Sequence, residues 1–258
     1  MHEPDQEQKA LETERMALGT EPFSFRCHPG IDCYLVCCHK VELILQPYDI
    51  VRLKNRLRLS ASEFLFRHTR LGEGNHPYFP AIMLNMVDEP SFPCPFLGPG
   101  GCSVYRDRPS ACRTYPLERG VERVPGKGIR SRYYLVRHPY CHGHQETKQY
   151  TVREWERDQQ LAEYNLFNDR WAEVDALFAT NPWQGEGAAG PRQRLAFMAC
   201  YDIDTFRTYC DQHRLLRRYR IDRHRRRRIE RDDGELLKFG FDWLLHTLGD
   251  RSTLMPVR

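Results

Sequence analysis

No run of about 18 apolar residues occurs in this 258-residue chain, so no segment is suited to cross a bilayer as a helix. The opening stretch, MHEPDQEQKALETERMALGTE, is polar and acidic and lacks the apolar core of a secretory signal, which makes the cytoplasm the expected compartment. There is no internal repeat at solenoid spacing. An H-E-x-x-H helix, a Ser/His/Asp order and paired carboxylates are not evident, so hydrolase chemistry is unsupported and no catalytic residue is assigned. A glycine-rich fingerprint following a strand is missing too, leaving no independent sign of a nucleotide or methyl-donor cofactor. The one glycine-rich stretch, QGEGAAGPRQ from Gln184 to Gln193, reads as a linker or exposed loop.

Cysteine is what the chain has in excess. There are ten, eight of them between Cys27 and Cys141, and Cys37 and Cys38 are adjacent. In a reducing compartment disulfides are disfavoured, and metal ligation or thiol chemistry becomes the better account of a cysteine-dense region. The length is enough to bury a core without staples, so metal is not needed for stability alone. Positive charge is localised: Asp211 to Asp233 holds ten Arg against five acids, while the chain as a whole is only +4. An argument for a polyanionic partner therefore rests on that segment.

The expected fold class is α+β: a small metal-organised, cysteine-rich α+β region followed by a mainly helical C-terminal half. The boundaries are expected at 1–24 for a flexible or helical extension, 25–145 for the cysteine region and 146–258 for the helical domain. VELILQ reads as a short strand, Pro47 opens a helix, and Ser60 with Glu63 has capping-box spacing ahead of a second helix. YFPAIMLNMV and SRYYLVR read as strands. Thr151 and Glu154 form another capping box ahead of one long helix carrying Trp155, Leu161, Tyr164, Phe167 and Trp171, stopped at Asn181-Pro182. Further helices are expected at RQRLAFMACY, DTFRTYCDQHRLLRRY and GELLKFGFDWLLHTLG, building a small bundle.

The first cysteine group reads CHPGIDCYLVCC, with Cys27, Cys33, Cys37 and Cys38 in one loop around Pro29 and Gly30. The second is spread over Cys94, Cys102, Cys112 and Cys141, each near Pro or Gly, in turns that let thiolates and backbone N–H groups converge on an ion. Side chains of adjacent residues diverge, so Cys37 and Cys38 are not expected to chelate one ion easily. Zinc, with ligands at about 2.3 Å, favours paired cysteines two to four residues apart. Only the Cys33 to Cys37 interval fits that. Intervals of five, seven and nine residues suit a larger inorganic core, which tilts the reading toward iron–sulfur. Cys200 and Cys210, in the apolar patterns FMACY and FRTYC, read as core. His28, His39, His142 and His144 flank the cysteines as solvated or supporting groups, and Arg106, Arg108 and Arg113 surround Cys112, where they either stabilise thiolates or form an ordinary surface turn.

These residues resemble the YkgJ-like CxxxCxxCC cysteine-cluster family, described as zinc- or iron-chelating. The resemblance rests on the CC pair after two upstream cysteines, on CPFLGPGGCSVYRDRPSACRTYPL and on a last cysteine before glycine in YCHG, and it covers about Phe25 to His144. It implies a ligand role for Cys27, Cys33, Cys37, Cys38, Cys94, Cys102, Cys112 and Cys141. The first intervals here are five and three rather than three and two, and the usual glycine inside the motif is absent. The expected cofactor is an iron–sulfur cluster, 4Fe-4S as the leading form, with zinc as the alternative. The expected role is redox, cluster-dependent or regulatory. A structural zinc module is the first rival. The second is an enzyme like the flagellin lysine methylases, in which a related cysteine region occurs. Another protein, bound through the helical half, is the expected partner. Nucleic acid is not expected, because Arg225 to Arg228 point in every direction of a helix and no aromatic platform accompanies them.

Overall fold

The computed structural model describes residues 13–124 and 128–257. The fold is α+β, with short antiparallel sheets and a larger share of helix. Among the described residues no helix is long and apolar enough to cross a membrane. Of the expected N-terminal extension, residues 1–12 lie outside the described residues, and Glu14–Leu18 forms a strand. The chain folds as two compact units, each assembled from separated stretches. The first takes the described residues up to Val41 with Met86–Ser103 and Ser110–Glu163; the second takes Glu42–Asn85, Val104–Pro109 and the chain from Tyr164 onward.

In the first unit, β1 (Glu14–Leu18), β8 (Gly128–Arg137) and β7 (Leu117–Val124) form an antiparallel sheet in the order β1-β8-β7. β2 (Phe23–Ser24) pairs with β9 (Gln149–Tyr150). The chain then enters α4 (Val152–Asp158), started by the expected capping box: Thr151 accepts from the Glu154 N–H, and the Glu154 carboxylate accepts from the Thr151 N–H. Trp155 fills the core of this unit with Phe23, Phe25, Leu117, Leu135, Tyr150 and Leu161. Its ring meets Phe23, Phe25 and Tyr150 edge-on at 6.0, 5.5 and 4.9 Å, a favoured arrangement for aromatic quadrupoles.

One expected element is corrected here. The long helix from Thr151 is two helices, because Gln160 takes a left-handed φ of 52°, a backbone state that α-helix does not contain. The chain restarts in α5 (Ala162–Phe178). Likewise VELILQ is extended but holds only the isolated bridge Ile44↔Met83 and no strand ladder of its own.

The second unit contains α1 (Pro47–Leu57), α2 (Ala61–His68), the hairpin of β3 (Thr69–Gly72) with β4 (Ala81–Leu84), nearly all of α5, and α6 (Pro191–Cys200), α7 (Ile203–Gln212), α8 (Arg223–Arg231) and α9 (Asp233–Gly249). Pro47 stands at the first position of α1, and Ser60 with Glu63 makes the capping box of α2. Tyr48 stacks on Phe167 at 3.9 Å, and Phe79 lies among Trp171, Phe178, Trp183 and Tyr201. Gly240 lets α9 approach α6 closely: a Cβ there would stand 2.8 Å from the Ala199 carbonyl oxygen. Cys200 and Cys210 are buried in α6 and α7, as their apolar surroundings predict.

A buried ion pair network crosses this unit. The Lys54 ammonium, on a residue only 4% exposed, reaches Asp204 at 3.1 Å and Asp233 at 2.8 Å, and Arg207 reaches Asp233 at 2.6 Å. Burial by itself would raise the Asp233 pKa, but the bonds from Lys54 and Arg207 win and hold it below the usual carboxylate value. A depressed carboxylate contributes stability that is full above its unfolded pKa and is lost as pH falls through its native one. Lys54→Met is therefore expected to destabilise this unit by about 3–5 kcal/mol at neutral pH, since it leaves buried carboxylate charge under-compensated. Asp233→Asn should flatten the acid limb of the stability curve. Denaturant unfolding from pH 7 down to about 3 measures both, in the range where carboxylates titrate. An unchanged acid limb in Asp233→Asn would show that other carboxylates carry it.

Candidate metal centre

All eight cysteines singled out above, Cys27 to Cys141, lie in the first unit, while Cys200 and Cys210 lie in the second. The N-terminal loop starts where β2 leaves the core. Phe25 is buried, its N–H donates to the Lys148 carbonyl at 2.9 Å, and the Arg26 N–H donates to the Gly143 carbonyl at 3.0 Å. This lays the approach to Cys27 against the chain that follows Cys141. Gly143 makes the contact possible, because a Cβ there would be 2.8 Å from the Phe25 ring and 3.1 Å from the Arg26 carbonyl oxygen.

From His28 the loop coils through successive one-turn hydrogen bonds: Ile31 N–H to His28 O, Tyr34 N–H to Ile31 O, Val36 N–H to Cys33 O and Cys38 N–H to Leu35 O, at 2.9 to 3.2 Å. Leu35 is left-handed at φ 69° and opens a 3₁₀ turn over Val36–Cys38. The coil ends on a short ladder. The Cys94 N–H donates to the Cys38 carbonyl at 2.7 Å, His39 bridges to Pro93, and the Lys40 N–H donates to the Phe92 carbonyl at 2.9 Å. Cys38 and Cys94, 56 positions apart, are thus joined by backbone alone.

Cys94 and Cys102 bracket the tiny hairpin of β5 (Leu97–Gly98) and β6 (Gly101–Cys102). The Leu97 N–H donates to the Cys94 carbonyl at 2.9 Å, and Cys102 pairs with Leu97. Gly101 holds φ 102°, which an L side chain rarely adopts, so glycine is required at the turn. Cys112 sits on α3 (Ser110–Thr114). The end of that helix is fixed by the Trp155 indole N–H, which donates to the Thr114 carbonyl at 2.9 Å, and by Arg113, whose guanidinium donates to the Gln159 carbonyl at 2.6 Å. Cys141 is tied to the first loop by the His142 N–H, which donates to the Cys33 sulfur at 3.2 Å.

The electrostatics place Cys37 at the middle of the group. The adjacent thiols, expected to diverge, touch: Cys38 donates to Cys37, which lowers the Cys37 pKa to about 7 against the opposing effect of burial. Cys38 is raised for the complementary reason, with burial and the neighbouring Cys37, Cys94 and Cys112 adding to it. Burial raises Cys94, reinforced by Cys102 and Cys37, and raises Cys141, reinforced by Cys33 and Cys37 while Tyr115 opposes. Seven thiols, those of Cys33, Cys37, Cys38, Cys94, Cys102, Cys112 and Cys141, are therefore within electrostatic reach of at least one other. Cys27 is exposed where the loop leaves the core. Among the described residues no three His, Cys, Asp or Glu side chains converge closely enough to hold a metal ion, so the thiols share a neighbourhood and not one coordination sphere.

The flanking histidines are mostly turned to protein partners. His28 takes the Gly30 N–H on Nδ1 at 3.1 Å and lies 3.4 Å from Glu146 through Nε2, and His39 Nδ1 lies 3.3 Å from the Ser91 carbonyl oxygen. His144 packs edge-on against Phe25 and Tyr115, where burial, helped by Arg137, lowers its pKa to about 4 and keeps it neutral. Arg106 and Arg108 fall in the second unit, and the Arg108 guanidinium turns to the Tyr105 carbonyl at 2.7 Å. Sequence reasoning did not single out Tyr115 and Tyr140. Their hydroxyl pKa values are raised first by burial, with the Cys141 thiol acting on both, by a hydrogen bond in the case of Tyr115. The signal was their position, one beside Pro116 shortly after Cys112 and the other directly before Cys141.

A soft, all-sulfur donor set of this kind suits zinc or iron and disfavours calcium or magnesium. The comparisons with known proteins agree at that level. Residues 26–142 match the family described as "CxxCxxCC: Putative zinc- or iron-chelating domain". No curated protein and no solved structure matches the chain. The stretch from Arg26 to His142 is thus similar to a cysteine-cluster domain described as zinc- or iron-chelating.

Proposed function

We propose that the first unit holds an iron–sulfur cluster through thiolates drawn from Cys27, Cys33, Cys37, Cys38, Cys94, Cys102, Cys112 and Cys141, in the service of a redox, cluster-dependent or regulatory role. The observation that carries this reading is the neighbourhood of seven thiols centred on Cys37, held by the Cys94 N–H on the Cys38 carbonyl and by the His142 N–H on the Cys33 sulfur. Eight thiols exceed the four that a tetrahedral zinc uses, and their intervals are wide. When bound, such a cluster supplies one-electron chemistry at a potential set by its hydrogen bonds and solvent exposure. The chain's own part is to present thiolates, with Cys37 losing its proton more readily than Cys38, Cys94 or Cys141, and to set the Tyr115 and Tyr140 rings beside them. Zinc remains the second reading because the short Cys33 to Cys37 interval suits it.

Anaerobic purification with metal analysis and an absorption spectrum tests the proposal. Broad absorbance near about 400 nm that bleaches with dithionite is expected of the cluster, whereas d¹⁰ zinc gives none. Stoichiometric zinc with a featureless spectrum would overturn it. Cys94→Ser, Cys102→Ser and Cys112→Ser are each expected to lose most of the bound metal, and Cys200→Ser and Cys210→Ser to keep it, because the last two thiols are buried in the other unit. Equal losses in the two groups would sink the ligand assignment.

A further inference from the structure

Ten arginines lie between Asp211 and Asp233, and the fold sorts them. On α8, Arg225 reaches Asp242 at 2.8 Å, Arg226 reaches the Ile221 carbonyl at 3.5 Å, and Ile229 is fully buried. At about 100° per residue these three share one side of the helix. The other side carries Arg223, Arg227 and Arg231, spaced i, i+4, all exposed, and among the described residues none of the three guanidinium groups has an acidic or carbonyl partner. The even spread expected from sequence thus becomes a one-sided stripe. Arg214, Arg217, Arg218 and Arg220 are also exposed without side-chain partners among the described residues.

A second feature lies in the chain just ahead of α8. The Arg220 N–H donates to the Met255 carbonyl and the Val257 N–H to the Arg218 carbonyl, both at 2.8 Å, around the antiparallel bridge Tyr219↔Pro256. Alternation along such a ladder puts Tyr219 and Pro256 on one face and Arg218, Arg220, Met255 and Val257 together on the other. Tyr219 is buried, so the second face is outward, and Met255 and Val257 are 69% and 53% exposed. Arg218 and Arg220, whose guanidinium groups have no partner among the described residues, therefore flank exposed aliphatic side chains.

We propose that this face docks an acidic segment of a partner protein in which carboxylates alternate with apolar side chains. Arginine suits carboxylates because its planar donors bind them in pairs, and the partner's apolar groups would cover Met255 and Val257. A continuous phosphate chain fits less well. Met255 and Val257 offer a partner's apolar side chains a surface but give a base no ring on which to stack.

The test is fluorescence anisotropy on the full-length protein as purified, at about 150 mM salt, where long-range surface attraction is already screened. Three probes are compared: a labelled peptide alternating Glu and Leu, a Glu and Ser peptide of equal charge, and single-stranded RNA of equal charge. The Glu/Leu peptide is expected to bind tightest, at least about tenfold above either competitor. Arg223→Gln, Arg227→Gln and Arg231→Gln combined should weaken it about tenfold or more, and Met255→Ser with Val257→Ser should weaken it while leaving the Glu/Ser peptide unchanged. None of the five side chains is buried, and an unaltered melting curve verifies that each variant folds. The proposal is overturned by tighter RNA binding, by equal binding of the two peptides, or by no binding of the Glu/Leu peptide.

Discussion

Stripping the metal from the folded protein is expected to cut hydrogen-exchange protection in residues 25–41, 86–103 and 110–158 by about a thousandfold, while protection in α7 and α9 changes little. The magnitude follows from chain entropy. A metal crosslink between the Cys38 and Cys94 segments closes a loop of 55 intervening residues, and restricting the unfolded chain to that extent amounts to about 4 kcal/mol. That loop also confines the expected loss. Its middle, Glu42–Asn85, folds into the second unit, which has its own aromatic core and ion network and needs no thiolate. Exchange followed by mass spectrometry on metal-loaded and chelated protein reads the two units separately. Equal loss in both would mean that the metal organises the entire chain.

Trp155→Ala should lower the stability of the first unit by about 3–5 kcal/mol, the usual cost of deleting a buried aromatic, and should also speed metal release to a chelator. The ring touches the frame of the cysteines at both ends. It packs on Phe25, two residues before Cys27, and its indole N–H holds the Thr114 carbonyl, two residues after Cys112. Trp155→Phe keeps most of the packing and loses only the hydrogen bond, so it should fall between the two, nearer the parent protein in stability. Denaturant midpoints and the rate of metal transfer to a coloured chelator are the measurements. A large stability loss with unchanged metal release would show that the ring supports the sheet and not the cysteine frame.

What sequence made legible was local. Both Ser/Thr-x-x-Glu boxes cap helices, Pro47 begins one, and the apolar surroundings of Cys200 and Cys210 predict their burial, because each depends on residues within a turn or two. The gathering of seven thiols was foreshadowed by their turn contexts and by the family resemblance. The rest was set by partners distant in the chain. Gln160 breaks a helix that the apolar period carries straight through it, with Trp155 buried in the core of the first unit and Trp171 in that of the second. VELILQ has strand composition but finds one bridge, to Met83. The arginine run gives no hint that Asp242, 17 positions beyond Arg225, takes one guanidinium out of play. The assembly of each unit from separated stretches likewise depends on pairings such as Cys38 with Cys94 that no window of sequence contains.

The glycine that follows the last cysteine at one remove bears on how such motifs are to be understood. Gly143 chelates nothing; its place is set by room, since any side chain would strike Phe25 and the Arg26 carbonyl just ahead of the first cysteine. On the ligand assignment proposed above, the motif writes two kinds of information in one alphabet, donor atoms in its cysteines and a clearance in its glycine. A protein that kept all eight cysteines but carried alanine at this point would have the right chemistry on a frame whose two ends no longer meet.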